Sequence, residues 1–127
     1  MPRYVILLHQ TPPDSLRPTH WDLMLENGNV LRTWALADTP QAGDAIRADA
    51  LPDHRLAYLT YEGPVSGDRG QVTRWDHGEF QWTRQAEDEL RIQLQGQRLQ
   101  GEARLTRTDP VANVWRFLVS RRTEASP

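Results

Sequence analysis

Apolar and polar residues alternate with a period of two in a series of short runs along this chain. The clearest run is ELRIQLQGQRLQGEARLTRT. Leu90, Ile92 and Leu94 alternate with polar neighbours, Gly96 marks a turn, and Leu99, Ala103 and Leu105 continue the pattern. RYVILLH, ending at His9, is β-branched and aliphatic and predicts the first strand. QTPPDSLRPT follows as a loop, because its three prolines fix φ and remove ladder donors. HWDLMLE and VLRTWAL predict two strands around a tight turn at Asn27-Gly28-Asn29. TPQAGDAIRADALPD is ambiguous and reads as a loop with a short helical turn near Gly43 to Ala50. HRLAYLTYEG resumes strand character, and GQVTRWDHGEFQWTRQ reads as a hairpin turning at Asp76-His77-Gly78. NVWRFLVSRR predicts a final strand. No long helical period and no repeat is present. Short strands joined by turns predict an all-β barrel or sandwich with little helix.

At 127 residues the chain suits one domain, expected over residues 1–121, with residues 122–127 as a flexible tail. The apolar run YVILL is too short for a membrane span or a signal segment, and mean hydropathy is -0.70, so the expectation is a cytoplasmic protein with no membrane partner. Cysteine is absent, which excludes disulfides and thiolate metal sites. Net charge is -2, so a general basic excess for nucleic acid is missing, although a local basic groove remains open. All 15 basic residues are arginine, which rules out chemistry through a lysine amine.

The second predicted strand carries the unusual chemistry. Period two puts His20, Asp22 and Met24 on one face and Trp21, Leu23 and Leu25 on the other, the expected core face. His9 ends the first strand, and strand pairing would set it beside His20 and Asp22. Two imidazoles and a carboxylate suit Mn²⁺, Fe²⁺ or Zn²⁺; the alternative is three separate hydrogen-bonded residues. His54 and Tyr58 form a second pair, on one side if they share a strand, with Tyr58 as a core residue the alternative. The five tryptophans read first as core packing and second as base-stacking surfaces. Gly67-Asp68-Arg69-Gly70 reads as a turn, with a backbone anion nest the alternative.

In order and spacing, HWDLMLENGNVLRTWAL, PDHRLAYLTYEG, GDRGQVTRWDHGEF and LRIQLQGQRLQGEARLTRT resemble the 3′-phosphoesterase domain of bacterial DNA ligase D, from Tyr4 to about Arg121. The resemblance implies a small antiparallel β-barrel with a polar groove that binds a divalent metal, typically manganese, with zinc or another divalent ion as the alternative. It implies removal of 3′-phosphates and 3′-terminal ribonucleosides from DNA or RNA–DNA ends in break repair, alongside DNA-repair proteins. It implies His9, His20 and Asp22 as metal ligands, and His54 and Tyr58 as the catalytic pair of the phosphate pocket.

Three positions depart from the family pattern. Met24 stands where active members carry an arginine aimed at the phosphate, Leu7 where they carry a glutamine, and Asp38 near the place of a lysine. With three residues before Tyr4, the expectation is that the family's basic N-terminal arm is missing. These departures lead to two expectations. One is a metal-dependent phosphoesterase with weak or altered activity, in which Arg47 or Arg55 replaces the lost arginine. The other is an inactive metal-binding relative that binds a nucleic-acid end or a protein. A third, from chemistry alone, is a facial triad of His20, Asp22 and His77, as in non-haem iron oxygenases.

Overall fold

The structure, a computed structural model, describes residues 1–120; the expected tail at 122–127 lies outside the described residues. Among the described residues there are nine strands: β1 (Arg3–Gln10), β2 (His20–Asn27), β3 (Val30–Leu36), β4 (Ala45–Arg55), β5 (Gly63–Pro64), β6 (Gln71–Gln85), β7 (Glu89–Gly96), β8 (Gln100–Asp109) and β9 (Val114–Val119). All pairings are antiparallel. The order β1-β2-β3-β4-β9-β8-β7-β6 closes through β6 on β1, giving an eight-stranded barrel. The two-residue β5 adds to the start of β6. The only helix among the described residues is a 3₁₀ turn, Leu56–Leu59, as expected of a fold with little helix.

Alternation along the strands divides the apolar residues between two cores. Tyr4, Ile6, Leu23, Leu25, Trp34 and Phe80 face the barrel interior with apolar residues of β4, β7, β8 and β9. Trp21 packs against this core at its margin, so the predicted inner face of β2 is observed. All five tryptophans join this core or lie against it. The alternate residues of β1 and β2 must then face outward. Val5, Leu7 and Met24 do so, and build a smaller second core with Leu31, Leu59 and Val72 on the outside of the barrel wall.

Three local expectations are corrected. The helical turn near Gly43 to Ala50 is strand β4, with Ile46 and Ala48 buried and Arg47 exposed. Its alanines read as helix formers, but a stretch this short cannot nucleate a helix alone, and β3 and β9 offer it a ladder on each edge. The strand expected from His54 onward ends at Arg55, and Tyr58 lies on the 3₁₀ turn, whose tight pitch drives Leu59 into the second core. The hairpin expected at Asp76-His77-Gly78 is uninterrupted strand β6, 15 residues long.

Along β6, residues 71–79 pair with β1 and residues 78–85 with β7, so one strand closes the barrel by staggering its two partners. Gly78 serves close approach rather than a turn: a Cβ there would lie 2.1 Å from the Gln95 carbonyl oxygen. Asp76, read as a turn residue, is buried at one end of the barrel. It accepts hydrogen bonds from the backbone N–H groups of Gln97, Arg98 and Leu99 and from the Tyr4 hydroxyl at 2.6 Å.

Candidate metal centre and groove

His9 and His20 are directly opposed in the β1–β2 ladder, and Leu7 opposes Asp22. The outward face of this pair therefore brings His9, His20 and Asp22 together. Ligand atoms of the three lie within 4.8 Å of one another. His9 Nδ1 is 3.2 Å from Asp22 Oδ2, and His20 Nε2 is 3.0 Å from Asp22 Oδ1. Three donor atoms bound to one ion at about 2.1 Å would be about 3.0–3.4 Å apart, so the cluster can hold a first-row divalent cation.

The other ring nitrogens show which way each imidazole is set. His9 Nε2 donates to the Arg69 carbonyl at 2.8 Å, and His20 Nδ1 donates to the Pro18 carbonyl at 2.9 Å. A carbonyl can only accept, so in each neutral ring the remaining nitrogen presents a lone pair. Both lone pairs then face the Asp22 carboxylate. Lone pair against lone pair is repulsive, and it is relieved by a proton on each ring or by a shared cation. Asp22 Oδ1 is buried and receives no aligned hydrogen bond, although His20 Nε2 is close. Carbonyl-oriented imidazoles of this kind are the usual outer support of metal-bound histidines.

The charges are consistent with that picture. Burial of Asp22 works against its ionised form, but His20 and His9 together outweigh burial and hold the carboxyl below its ordinary range. The hydrogen bond to Asp22 raises the His9 pKa above its ordinary value against the cost of burial.

The cluster opens into a groove of about 430 Å³ on the outside of the barrel. Leu7 and Met24 are fully buried in its floor, with Leu51, Val65 and Val72 around them. His54, at the end of β4, and Tyr58 line the same groove, and their rings meet edge to face at 5.5 Å. They share the groove because the 3₁₀ turn folds back, not because they share a strand. His54 Nδ1 donates to the Pro52 carbonyl at 2.8 Å, which leaves Nε2 as the nitrogen available to a ligand.

The groove arginines are not those expected from the sequence. Arg47 Nε pairs with Asp49 and lines a separate depression that also holds Asp38, while Arg55 lines a neighbouring depression beside Tyr58. Arg17 and Arg69 line the groove instead. Both sit in loops, where strand periodicity says nothing about direction; the only sequence sign was the GDRG turn, which is indeed a turn. Neither guanidinium is unengaged: Arg17 pairs with Asp49 at 2.8 Å, and Arg69 donates to the carbonyl and hydroxyl of Ser66. His77 faces a different depression, with Arg3 and Arg74, and contributes nothing to the cluster, which removes the facial-triad alternative.

Residues 12–107 match the family model described as the DNA Ligase D 3′-phosphoesterase domain. Over 102 residues the chain is 32% identical to the multifunctional non-homologous end joining protein LigD of Mycobacterium bovis and to the corresponding DNA repair protein LigD of Mycobacterium tuberculosis. These alignments cover 73% of the chain and 13% of each relative. A LigD protein of Pseudomonas aeruginosa is 31% identical over 71% of the chain and 12% of its own length. The chain thus spans about one eighth of the length of these curated relatives.

Proposed function

The chain belongs to the DNA ligase D 3′-phosphoesterase domain family, and from that premise we propose that it is a divalent-metal-dependent phosphoesterase acting on DNA 3′ ends, with a weakened grip on phosphate. The observation that carries the metal assignment is the convergence of one ring nitrogen from each of two imidazoles on one buried carboxylate. His9, His20 and Asp22 would hold the ion, manganese by family resemblance. A cation bound there supplies Lewis-acid polarisation of a phosphoryl oxygen.

The remaining roles belong to side chains of the groove. His54 presents Nε2, which exchanges a proton with a substrate oxygen, and the Tyr58 ring fixes the imidazole by edge-on packing. The Tyr58 hydroxyl is the second polar group of this pair and orients the phosphate. Apolar Met24 and Leu51 exclude water but give the anion no donor. Loss of a bidentate guanidinium contact costs a few kcal/mol, or about 100-fold in rate.

Phosphate release from a 3′-phosphorylated primer in the presence of manganese tests this reading. Slow release that disappears in His20→Ala and with a chelator is expected. Release undiminished in His20→Ala overturns the proposal. The buried Met24 favours a second reading, an inactive module that holds a 3′ end. Metal-dependent primer binding with no release at any enzyme concentration would select it.

A further inference from the structure

Asp49 stands in an unexpected relation to the cluster. Across the outer face of three adjacent strands, Asp22 of β2, Ala35 of β3 and Asp49 of β4 are in lateral register. Two strand spacings separate the carboxylate-bearing backbones by about 10 Å. Ala35, between them, carries a single methyl group. Asp22 is met by two imidazoles, and Asp49 by two guanidiniums: Arg17 Nη1 on Oδ2 at 2.8 Å and Arg47 Nε on Oδ1 at 2.9 Å.

Arg17 immediately precedes Pro18, whose carbonyl holds the His20 ring. The loop between β1 and β2 is tied to itself: Thr11 Oγ1 donates to the Arg17 carbonyl, the Thr11 N–H donates to Thr19 Oγ1, and the Ser15 N–H donates to the Pro12 carbonyl. Besides the Pro18–His20 bond itself, the Arg17–Asp49 bridge is, among the described residues, the side-chain bond that joins the loop of residues 11–19 to a strand. A loop with three prolines has few backbone donors, so this bridge is a main tether of the segment that leads into the Pro18 carbonyl.

We propose that Asp49 is a positioning residue for the metal centre: by holding Arg17 it places the Pro18 carbonyl, which keeps His20 with Nδ1 protonated and Nε2 turned toward Asp22. This inference rests on the metal reading given above. It also accounts for a groove arginine that is engaged away from the ligand. Both partners of the bridge are partly exposed, and bridges of that kind contribute little to global stability. The effect of breaking it therefore belongs to the metal centre rather than to the fold.

Two measurements test it. Isothermal titration of the metal-free protein with manganese or cobalt reads affinity, and the visible spectrum of the cobalt form reads ligand geometry. Long-range ¹H–¹⁵N correlation spectra of the metal-free protein read the His20 tautomer. Asp49→Ala and Arg17→Ala should each weaken metal binding by about tenfold, the usual scale for an outer support of a ligating histidine. The double variant should be no weaker than either single one. Arg47→Ala, which leaves the Arg17 bridge in place, should bind as the wild type does. In Asp49→Ala the His20 signal should shift from the Nδ1–H form to a mixture of tautomers. Asp49→Ala with wild-type affinity and tautomer overturns the inference. A wild type that binds metal but cleaves no primer leaves it standing while the enzymatic reading fails. A wild type that binds no divalent ion overturns the metal reading and this inference together.

Discussion

Met24 occupies the floor of the groove beside Asp22 and is 1% exposed, packed in the second core with Leu7 and Leu31. The position has two consequences that the sequence alone did not separate. An arginine there would point into the groove, since the parity that exposes Asp22 outward holds for residue 24. It would also replace a buried thioether by a larger, charged side chain. Met24→Arg should therefore raise manganese-dependent release from a 3′-phosphorylated primer, by about 100-fold at most, while lowering stability by about 1–3 kcal/mol in urea titration. Asp38→Lys should add nothing to that gain, because Asp38 lines a separate depression with Thr39 and Arg47. An additive benefit from Asp38→Lys would show that the substrate path extends beyond the groove.

Among the elements, the turns and the barrel seam use glycine for different reasons. Gly28 closes the β2–β3 hairpin at φ +66°, with open space around a would-be Cβ. Gly96 ends β7 at the barrel end, where a Cβ would lie 1.8 Å from the Tyr4 hydroxyl and 2.5 Å from Asp76 Oδ2. Gly28→Ala should cost only the left-handed backbone, about 1 kcal/mol. Gly96→Ala must displace the buried Tyr4–Asp76 pair and should cost on the order of 3 kcal/mol or more. Chemical denaturation of the two variants checks the order. β6 shows why the seam was misread: Asp76-His77-Gly78 has turn composition, but Asp76 caps the β7–β8 turn and Gly78 passes close to Gln95.

For the molecule as a whole, the His9–His20–Asp22 cluster couples stability to pH. In the metal-free protein His9 has a raised pKa, so its contribution is complete below about pH 6.5 and is lost as pH rises through its folded value. Asp22 has a lowered pKa; its contribution is complete above about pH 4 and is lost as pH falls through its folded value. The metal-free protein should therefore weaken as pH rises above about 6.5 and again as it falls below about 4. A divalent cation competes with the proton on His9, so the stabilisation it brings should grow as pH rises through the interval in which His9 loses its proton. At about 100 times the dissociation constant this amounts to about 2.7 kcal/mol. Thermal melts with chelator and with manganese across that interval check both slopes, and His20→Ala should abolish the manganese effect. Melts whose manganese effect shrinks as pH rises would contradict the assignment.

The barrel strands marked by alternation or by short apolar runs between clear turns, β1 to β3 and β7 to β9, could be read from the chain, because period two, β-branched runs and a tight turn are local properties. The shared face of His20, Asp22 and Met24 was legible for the same reason, and the place of His9 beside it followed from antiparallel pairing. Helix against strand in Ala45–Arg55, and turn against strand in Gln71–Gln85, were decided by neighbours distant in sequence that supply or deny a ladder. So was the identity of the groove arginines. Arg17 and Arg69 lie in loops, whose side chains follow no period, and their directions are set by Asp49 on β4 and by Ser66. The sequence determined which chemistry could exist on one strand face; the closed barrel decided which loops come to lie over it.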